Sequence, residues 1–452
     1  MKLIYLSFFF LLIVSINLAQ NYGNWYITNP MNEKRSEHAG IVLNDGNILV
    51  SGTNGSPHPL ATCEIFDVKE QKWKYISSMN TGRMYHTLVN FKDGRIMAIG
   101  GWGENSCEIL DKDYSKWVIT DSLKTKRLYG QTTTLLNDGR VLLVGGQTSN
   151  ETLKECEIYN PQTQKWEITE DLDTVRVYHT ATLLNDGRVL VVGGTNLGKG
   201  YYSSCKIFDP VTNKWNAAAS MNYVRANHSA TLLPDGKVIV LGGRLKKVEI
   251  YDPLKDTWEV VGETAFIIGR NKALSIKNGE YLVAVEGQDG PGWEVFSLTN
   301  FQSVVYKRFE TAEYEQVFLK INEDNLLLAG GLDEIYGFYG MMTNKCKIFD
   351  FNLTDVNEEV FLNKSSEKPQ LSCYPNPFNN STNINIEIDK TSFISLILYN
   401  AIGEEVKRIF EGDLDKGNHI IQFNAIYLSS GIYFLTLRNK EINQIFKLIY
   451  QK

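Results

Sequence analysis

Residues 176–194 read RVYHTATLLNDGRVLVVGG, and this stretch decides the fold of the 452-residue chain. Two apolar runs flank Asn185-Asp186-Gly187, a sequence that favours a tight hairpin turn because its glycine accepts a positive φ. Both runs are almost continuously apolar, which indicates strands buried on both faces. Similar stretches occur at residues 83–101, 127–146 and 225–243. The hairpin is therefore one part of an internal repeat.

The repeat is longer than the hairpin. After the paired glycines come a variable loop, a strand of the type Cys-Glu-Ile-Tyr-Asn, a polar turn and a tryptophan that opens a fourth strand. Each unit is thus a four-stranded meander. Its tryptophans are 44, 49, 49 and 43 residues apart, close to the roughly 40–50 residues of a propeller blade. These tryptophans are Trp73, Trp117, Trp166, Trp215 and Trp258.

The sequence predicts an all-β fold, a seven-bladed β-propeller followed by a small C-terminal β-sandwich. Ser51-Gly52 opens the series, Glu286-Gly287 marks a degenerate sixth copy, and Gly330-Gly331 marks a seventh. Because Glu286 replaces a glycine and the last copy has no tryptophan, six blades with an aberrant insertion remain the alternative.

The N-terminal segment around Trp25 matches the fourth strand of the other units, although it precedes the first hairpin. The last unit, which ends near Leu362, lacks that strand. We therefore predict that the segment at Trp25 completes the last blade, which closes the ring and removes two exposed strand edges.

Five of the six cysteines begin the third strand of successive repeats. Equivalent positions on neighbouring blades lie too far apart for a disulfide, whose Cα atoms must be within about 7 Å. We expect most of them to be buried free thiols. They are Cys63, Cys107, Cys156, Cys205 and Cys346.

Residues 1–20 have a charged start, an apolar centre and small residues before Gln20, the pattern of a secretory signal peptide. The net charge of −6, with both signs interspersed, provides no basic stripe for nucleic acid or an anionic membrane. No later run is apolar enough to span a bilayer. The sequence therefore predicts an exported chain that is not transmembrane.

Residues 21–362 resemble the kelch repeat, in which paired glycines, a Tyr/Phe-Asp strand and a tryptophan after a polar turn recur in order. The resemblance implies a kelch-type propeller like that of galactose oxidase. It departs from the family pattern in the sixth and seventh copies.

After Leu362 the composition changes. Residues 363–372 form a polar linker, and residues 373–452 have the strand pattern of a small β-sandwich. This last segment resembles the C-terminal sorting domain of the type IX secretion system of Bacteroidota, whose cargo is released or attached to the cell surface. A generic carbohydrate-binding or immunoglobulin-like sandwich is the alternative. The resemblance depends on Tyr374-Pro375-Asn376-Pro377-Phe378, residues 398–403, Gly431 and Tyr433 in residues 430–434, and residues 446–450.

An arginine opens the first strand of several units, and a histidine often follows three residues later, as in Arg83 and His86. One interpretation is a ring of guanidinium groups that binds an anionic ligand at the channel mouth. The favoured interpretation is that these side chains bond within the repeat, because a ligand site rarely needs the same residue in every copy. The arginines are Arg35, Arg83, Arg127, Arg176, Arg225 and Arg270.

Aromatic residues form a second candidate site in the loops after the glycines. Exposed aromatics beside polar groups suit sugar faces or protein hot spots, although these rings can also fold back to cover the propeller. The candidates are Trp102, Tyr201, Tyr202, Trp293, Tyr336, Phe338 and Tyr339.

Copper chemistry is a third candidate. Tyr85-His86 and Tyr178-His179 resemble a Tyr-His ligand pair of galactose oxidase, but that enzyme also needs a Tyr cross-linked to a Cys and another His. No hydrolase, zinc-protease or phosphate-loop motif occurs. The sequence therefore favours a secreted or cell-surface binding protein for a protein or glycan, with no catalytic residue, metal or cofactor. A copper oxidase or other glycan-active enzyme is the alternative.

Overall fold

The computed structural model describes residues 22–55, 58–269, 272–285, 292–309, 313–314, 316–335, 338–352, 370–374, 378–379, 381–388, 391–400, 405–425, 428–438 and 443–450. The predicted signal peptide lies outside these residues. The chain divides into two compact units, Met1–Asn352 and Leu353–Lys452. Among the described residues, all regular structure is β except the 3-10 turn Lys277–Gly279.

The first unit consists of antiparallel four-stranded meanders, numbered here in chain order. Strands of meander 1 are Ala39–Val42, Ile48–Thr53, Leu60–Asp67 and Lys72–Ile76. Meander 2 has Thr87–Asn90, Ile96–Ile99, Cys107–Leu110 and Trp117–Thr120. Meander 3 has Thr132–Leu135, Val141–Val144, Cys156–Asn160 and Lys165–Ile168. Meander 4 has Thr180–Leu183, Val189–Val192, Cys205–Asp209 and Lys214–Ala218.

Three further meanders complete the series. Meander 5 has His228–Leu232, Val238–Gly242, Leu245–Asp252 and Thr257–Ile268. Meander 6 has Lys272–Ile276, Tyr281–Val285, Gly292–Ser297 and Gln302–Arg308. Meander 7 has Val317–Lys320, Asn325–Ala329, Cys346–Asp350 and Asn24–Thr28. Two small sheets in the loops pair Thr195–Asn196 with Gly200–Tyr201, and Leu332–Ile335 with both Glu313–Tyr314 and Phe338–Met342.

The first strands of the meanders neighbour one another in a cycle that runs through meanders 1 to 7 and returns to meander 1. The predicted all-β propeller is therefore confirmed. Meanders 5 and 6 share one eight-stranded sheet, which is joined by a single parallel pairing of Glu263 with Gln302. Because two meanders share one sheet, the count of seven blades remains a prediction.

The ring closes as the sequence predicts. Asn24–Thr28 pairs antiparallel with Cys346–Asp350, so that Trp25 lies opposite Phe349. The Trp25 ring packs between Phe349, at a centroid distance of 5.4 Å, and Phe309, at 5.9 Å. The N-terminal strand thus supplies the tryptophan that the last repeat lacks.

The second strand of each meander is buried on both faces because it packs against a neighbour on each side. In Val141–Val144, Val141 and Leu143 pack against meander 2, whereas Leu142 and Val144 pack against meander 4. The hairpin turns have the predicted positive φ, for example 88° at Gly187. These two features explain the apolar runs and the Asn-Asp-Gly sequence of the repeat.

The cysteines are free and buried, as predicted. Burial raises the pKa of each thiol to about 12, so the thiolate form is suppressed. This holds for Cys63, Cys107, Cys156, Cys205, Cys346 and Cys373.

The second unit consists of two sheets. One has the order Gln370–Tyr374, Ser381–Ile388, Gly417–Asn424, and the other has the order Glu405–Leu414, Ser392–Asn400, Gly431–Arg438, Asn443–Tyr450. Alternate residues of both sheets form one apolar core, as in a β-sandwich. The first strand begins three residues before the predicted boundary at Cys373.

The predicted sorting motif contributes to this core. Phe378 is buried, and its ring lies 5.2 Å from Tyr450 and 6.3 Å from Phe423. Tyr433 donates a hydrogen bond of 2.8 Å to the Ser429 carbonyl. Tyr374 ends the first strand and Gly431 begins another. Pro375, Asn376 and Pro377 lie outside the described residues.

Candidate functional site

The paired glycines let the start of the next meander approach closely. At Gly193, φ is 60°, and an added Cβ would lie 2.6 Å from the Arg225 carbonyl oxygen. At Gly145, an added Cβ would lie 2.5 Å from the Arg176 carbonyl oxygen. Any other residue would therefore clash with the backbone. The glycines of one meander and the arginine of the next thus pack together at the contact between neighbouring meanders.

The structure places the repeated arginines inside the meanders, which argues against a ring of arginines open to an anionic ligand. Arg35, Arg83, Arg127, Arg176 and Arg225 are at most 1% exposed. Four of them are paired with a glutamate of the same meander, and each also donates to a glycine carbonyl. The N–O distances are 2.9 Å for Arg35–Glu64, 2.8 Å for Arg83–Glu108, 2.6 Å for Arg127–Glu157 and 3.1 Å for Arg225–Glu249.

The glutamates that complete these pairs were not among the site residues predicted from the sequence. They are the Glu of the Cys-Glu-Ile strands and its equivalent in meander 5, so their repetition in register was the available signal. In meander 6 the equivalent Glu294 is buried, burial raises its pKa to about 7, and it accepts a hydrogen bond from the Ala265 N–H. Arg270 lies outside the described residues.

The histidines lie between meanders. His86 Nε2 lies 2.8 Å from Ser51 Oγ, His179 Nε2 lies 2.9 Å from Thr132 Oγ1, and His228 Nε2 lies 3.0 Å from Thr180 Oγ1. Each hydroxyl belongs to the preceding meander. Burial, together with a nearby arginine, lowers the pKa of each of these imidazoles to about 3. They are therefore neutral over the physiological pH range.

This burial makes folding pH-dependent. For His179, the folded pKa of about 3 lies below the ordinary value of 6.5, so the unfolded chain binds the proton first and stability falls as the pH drops below about 6.5. We expect His179→Gln, which carries the residue found at Gln131 in meander 3, to lose this component, about 1.4 kcal/mol per pH unit between pH 6 and pH 4. Denaturant unfolding at several pH values measures it. Equal slopes for wild type and variant would contradict the prediction.

The residues before the histidines, and before Gln131 in meander 3, lie next to one another from one meander to the next. Glu37, Tyr85, Gly130, Tyr178 and Asn227 all have φ between 54° and 75°. Backbone N–H groups link them from one meander to the next: Tyr85 donates to Glu37, Tyr178 to Gly130, and Asn227 to Tyr178. In meander 3, the Gln131 side chain donates to the Tyr85 carbonyl at 3.2 Å. These contacts form a continuous arc across meanders 1 to 5.

Four aromatic rings lie together on this arc, and with Glu37 we call them the mouth cluster: Glu37, Tyr85, Trp102, Tyr129 and Tyr178. Trp102 and Tyr129 are nearly parallel, at 20° and a centroid distance of 6.2 Å, as are Tyr129 and Tyr178, at 19° and 5.7 Å. The Tyr85 ring lies 5.8 Å from Trp102, and its hydroxyl donates to Glu37. Trp102 is 45% exposed, and the other rings are partly exposed. The cluster places four aromatic rings, each at least partly exposed, beside one carboxylate.

The remaining loop aromatics are placed differently. Trp293, expected in an exposed loop, is buried and packs against Trp25. Tyr201 is half-exposed, and the Tyr202 ring lies over the Arg176 guanidinium. Tyr336 lies outside the described residues. Phe338 and Tyr339 belong to the strand Phe338–Met342, but their side chains are not described.

The residues of the suggested copper site do not fit a copper centre. The His86 and His179 imidazoles are buried and bonded to hydroxyl groups, and all the cysteines are buried free thiols. In the described part of the chain, no group of three or more His, Cys, Asp or Glu is arranged to hold a metal ion.

The fold and the repeat define the first unit as a β-propeller of repeated four-stranded meanders. Residues 86–285 match the KLHDC2/KLHL20/DRC7 Kelch-repeats domain, and residues 372–451 match the Secretion system C-terminal sorting domain. The chain thus contains a kelch-repeat domain and a type IX C-terminal sorting domain. The resemblances seen in the sequence are confirmed.

A solved structure similar to this chain is a novel fungal alcohol oxidase with catalytic diversity among the AA5 family, in complex with copper. It is 14% identical, with a TM-score of 0.42, and the match covers 95% of this chain and 100% of that one. At this level the likeness carries no argument about activity. No curated protein matches the chain.

The sorting domain assigns the chain to type IX secretion, which delivers it to the cell surface or beyond. In the described residues, no helix has the length and apolar character needed to cross a membrane.

Proposed function

We propose that this protein binds an extracellular protein or glycan through the face of the propeller that carries the mouth cluster. The observation that supports the proposal is the grouping of Tyr85, Trp102, Tyr129 and Tyr178 beside Glu37. Partly exposed aromatic rings offer large contact areas at low entropic cost, and they are the usual anchors of binding sites. The row of nearly parallel rings favours a glycan, because sugar rings present flat apolar faces.

The loop that contains Tyr336, Phe338 and Tyr339 is the second part of the proposed site. It belongs to the same class of loop as Trp102, since both follow the paired glycines of their repeat. An enzymatic role, as a copper oxidase or another glycan-active enzyme, is the competing proposal. It predicts turnover of the bound glycan, whereas the binding proposal predicts release of the ligand unchanged.

The first test is a screen of the mature chain against an array of glycans and of purified surface proteins. Hits are then measured by isothermal titration calorimetry, and the recovered ligand is analysed by mass spectrometry. Binding that depends on neither the mouth cluster nor Tyr336, Phe338 and Tyr339 would refute the proposed face. A chemically altered ligand would favour the enzymatic proposal.

Trp102→Ala is the sharpest variant of the mouth cluster. Loss of a central aromatic anchor typically weakens binding by about 2 kcal/mol or more, which is roughly 30-fold. Tyr75→Ala is the matched control, because Tyr75 is a 54% exposed aromatic on the fourth strand of meander 1. We expect titration calorimetry to show weaker binding for Trp102→Ala and wild-type affinity for Tyr75→Ala. Equal affinities for the two variants would contradict the prediction.

A further inference from the structure

Four meanders contain the same internal site for a carboxylate, which we call the carboxylate niche. It consists of the buried arginine and the backbone N–H groups of the residues two and three positions before it. In meander 2, Glu108 accepts hydrogen bonds from Asn80 N at 2.6 Å, Thr81 N at 3.0 Å and Arg83 Nη2 at 2.8 Å. Glu64 and Glu157 make equivalent contacts in meanders 1 and 3. In meander 5, Glu249 accepts from Arg225 and from the N–H three positions before it, that of Asn222.

Meander 4 keeps the arginine but has lost the glutamate. Its third strand, Cys205–Asp209, reads CKIFD, so Lys206 stands where the other niches have Glu. Lys206 Nζ lies 2.7 Å from Asp173 Oδ2, and the side chain of Asp173 is 57% exposed. The lysine cannot replace the carboxylate, because an ammonium group accepts no hydrogen bond.

Arg176 therefore lacks the carboxylate partner of Arg83, although its other hydrogen bonds are the same. Both arginines donate Nη1 to a glycine carbonyl and to a serine carbonyl, and Nη2 to the hydroxyl of that serine, which is Ser204 for Arg176 and Ser106 for Arg83. Only Arg83 also reaches a carboxylate. In the described part of the chain no carboxylate lies within 4.0 Å of Arg176, which is 0% exposed.

The charges of meander 4 do not balance. The groups around the niche are Arg176 and Lys206, which are positive, and Asp173, which is negative, so one positive charge remains. The Tyr202 ring lies 5.3 Å from Arg176 Cζ and provides a cation–π contact. Such a contact contributes less than a charge-assisted hydrogen bond. A buried cation without a counter-ion is unfavourable.

We propose that the niche of meander 4 binds one small monovalent anion, a halide or a simple carboxylate, in the place of the missing glutamate. The anion accepts hydrogen bonds from Arg176 and from the N–H groups of Asp173 and Thr174, which occupy the positions of Asn80 and Thr81. Its charge neutralises the excess positive charge of the niche. This site is separate from the mouth cluster.

Two variants of Lys206 test the site in the full mature chain. Lys206→Glu places a carboxylate in the niche and excludes the anion, whereas Lys206→Met removes the lysine charge and leaves the niche open. The readout is the Tm of thermal unfolding at increasing concentrations of sodium bromide and, separately, of sodium acetate. For wild type, relative to Lys206→Glu, the Tm is expected to rise by about 2 °C for each tenfold increase in free anion concentration above the dissociation constant. Lys206→Met should show a smaller rise, because it keeps Arg176 but no longer carries the excess positive charge. The salt that raises the Tm more identifies the class of anion.

Bromide diffraction provides a second readout that does not depend on stability. Wild-type crystals grown with bromide should show an anomalous peak within hydrogen-bonding distance of the Arg176 guanidinium. Lys206→Glu crystals should lack it, and so should the niche around Arg83. The proposal is overturned if all three proteins respond equally to both salts, or if bromide raises the wild-type Tm but the wild type shows no peak there. If Lys206→Glu does not fold, the wild-type peak alone decides the question.

Discussion

A chain that ends before Gln370 is expected to fold but to remain in the periplasm, on the inner side of the outer membrane. The sorting domain directs type IX export, and the propeller belongs to a separate compact unit whose meanders do not use residues after 370. Deletion of residues 370–452, which contain the whole predicted sorting domain from Cys373 to Lys452, therefore removes the export signal and leaves the propeller intact. Fractionation of the native host, with protease treatment of intact cells, measures surface display.

The expected loss of display is nearly complete, and the truncated chain should accumulate in the periplasm as a folded protein. Ile420→Ala is the control within the sorting domain, because Ile420 is 70% exposed and outside its core. Phe378→Ala should reduce display, because Phe378 packs against Tyr450 and Phe423 in that core. Normal surface display of the truncated chain would refute the sorting assignment.

The sequence was sufficient to predict the meanders, the hairpin turns and the closure of the ring. These features depend on local patterns: apolar runs beside Asn-Asp-Gly and a tryptophan at a fixed distance. The match of Trp25 to the missing fourth strand of the last repeat was visible for the same reason. The local sequence pattern was therefore enough to predict the propeller fold.

The sites were harder to predict because they depend on contacts that are distant in the sequence. Arg83 and Glu108 are 25 residues apart, and nothing in the Arg-x-x-His pattern alone distinguishes a buried ion pair from an open guanidinium. In the mouth cluster, Tyr129 stands two residues after Arg127, as Tyr85 and Tyr178 stand after their arginines, but meander 3 has one extra residue before its first strand. That insertion is readable in the sequence, but its effect on ring position is not.

Meander 4 departs from meanders 1, 2, 3 and 5 because Lys206 stands in the place of the niche glutamate. Once the structure pairs each arginine with a glutamate, the Lys at position 206 becomes the one departure among meanders 1 to 5. In the sequence alone it was one charged residue among many. The same comparison predicts where a change should be most damaging, namely at an intact niche.

Glu108→Gln is expected to destabilise the propeller by about 3–5 kcal/mol, because it leaves the charge of Arg83 buried without a counter-ion. The substitution keeps the size of the side chain, so the loss reports charge rather than packing. Denaturant unfolding followed by tryptophan fluorescence measures it. In the double variant Arg83→Met with Glu108→Gln, much of the loss should be recovered, because no uncompensated charge remains.

The control is an exposed ion pair of the same charge type. Glu70→Gln removes the partner of Lys72, whose side chain is 65% exposed, and should change the unfolding free energy by less than about 1 kcal/mol. Equal effects at Glu70 and Glu108 would contradict the role assigned to the buried pair.

The pH dependence gives an independent check. Burial raises the pKa of Glu108, but the hydrogen bonds from Arg83 and Asn80 outweigh it, so the pKa lies below its ordinary value. The stability from this carboxylate is therefore fully present above the ordinary pKa and is lost as the pH falls through the lower folded value. The difference between wild type and Glu108→Gln should shrink as the pH drops below about 4. A difference that stays constant down to pH 2 would mean that the charge of Glu108 does not stabilise the fold.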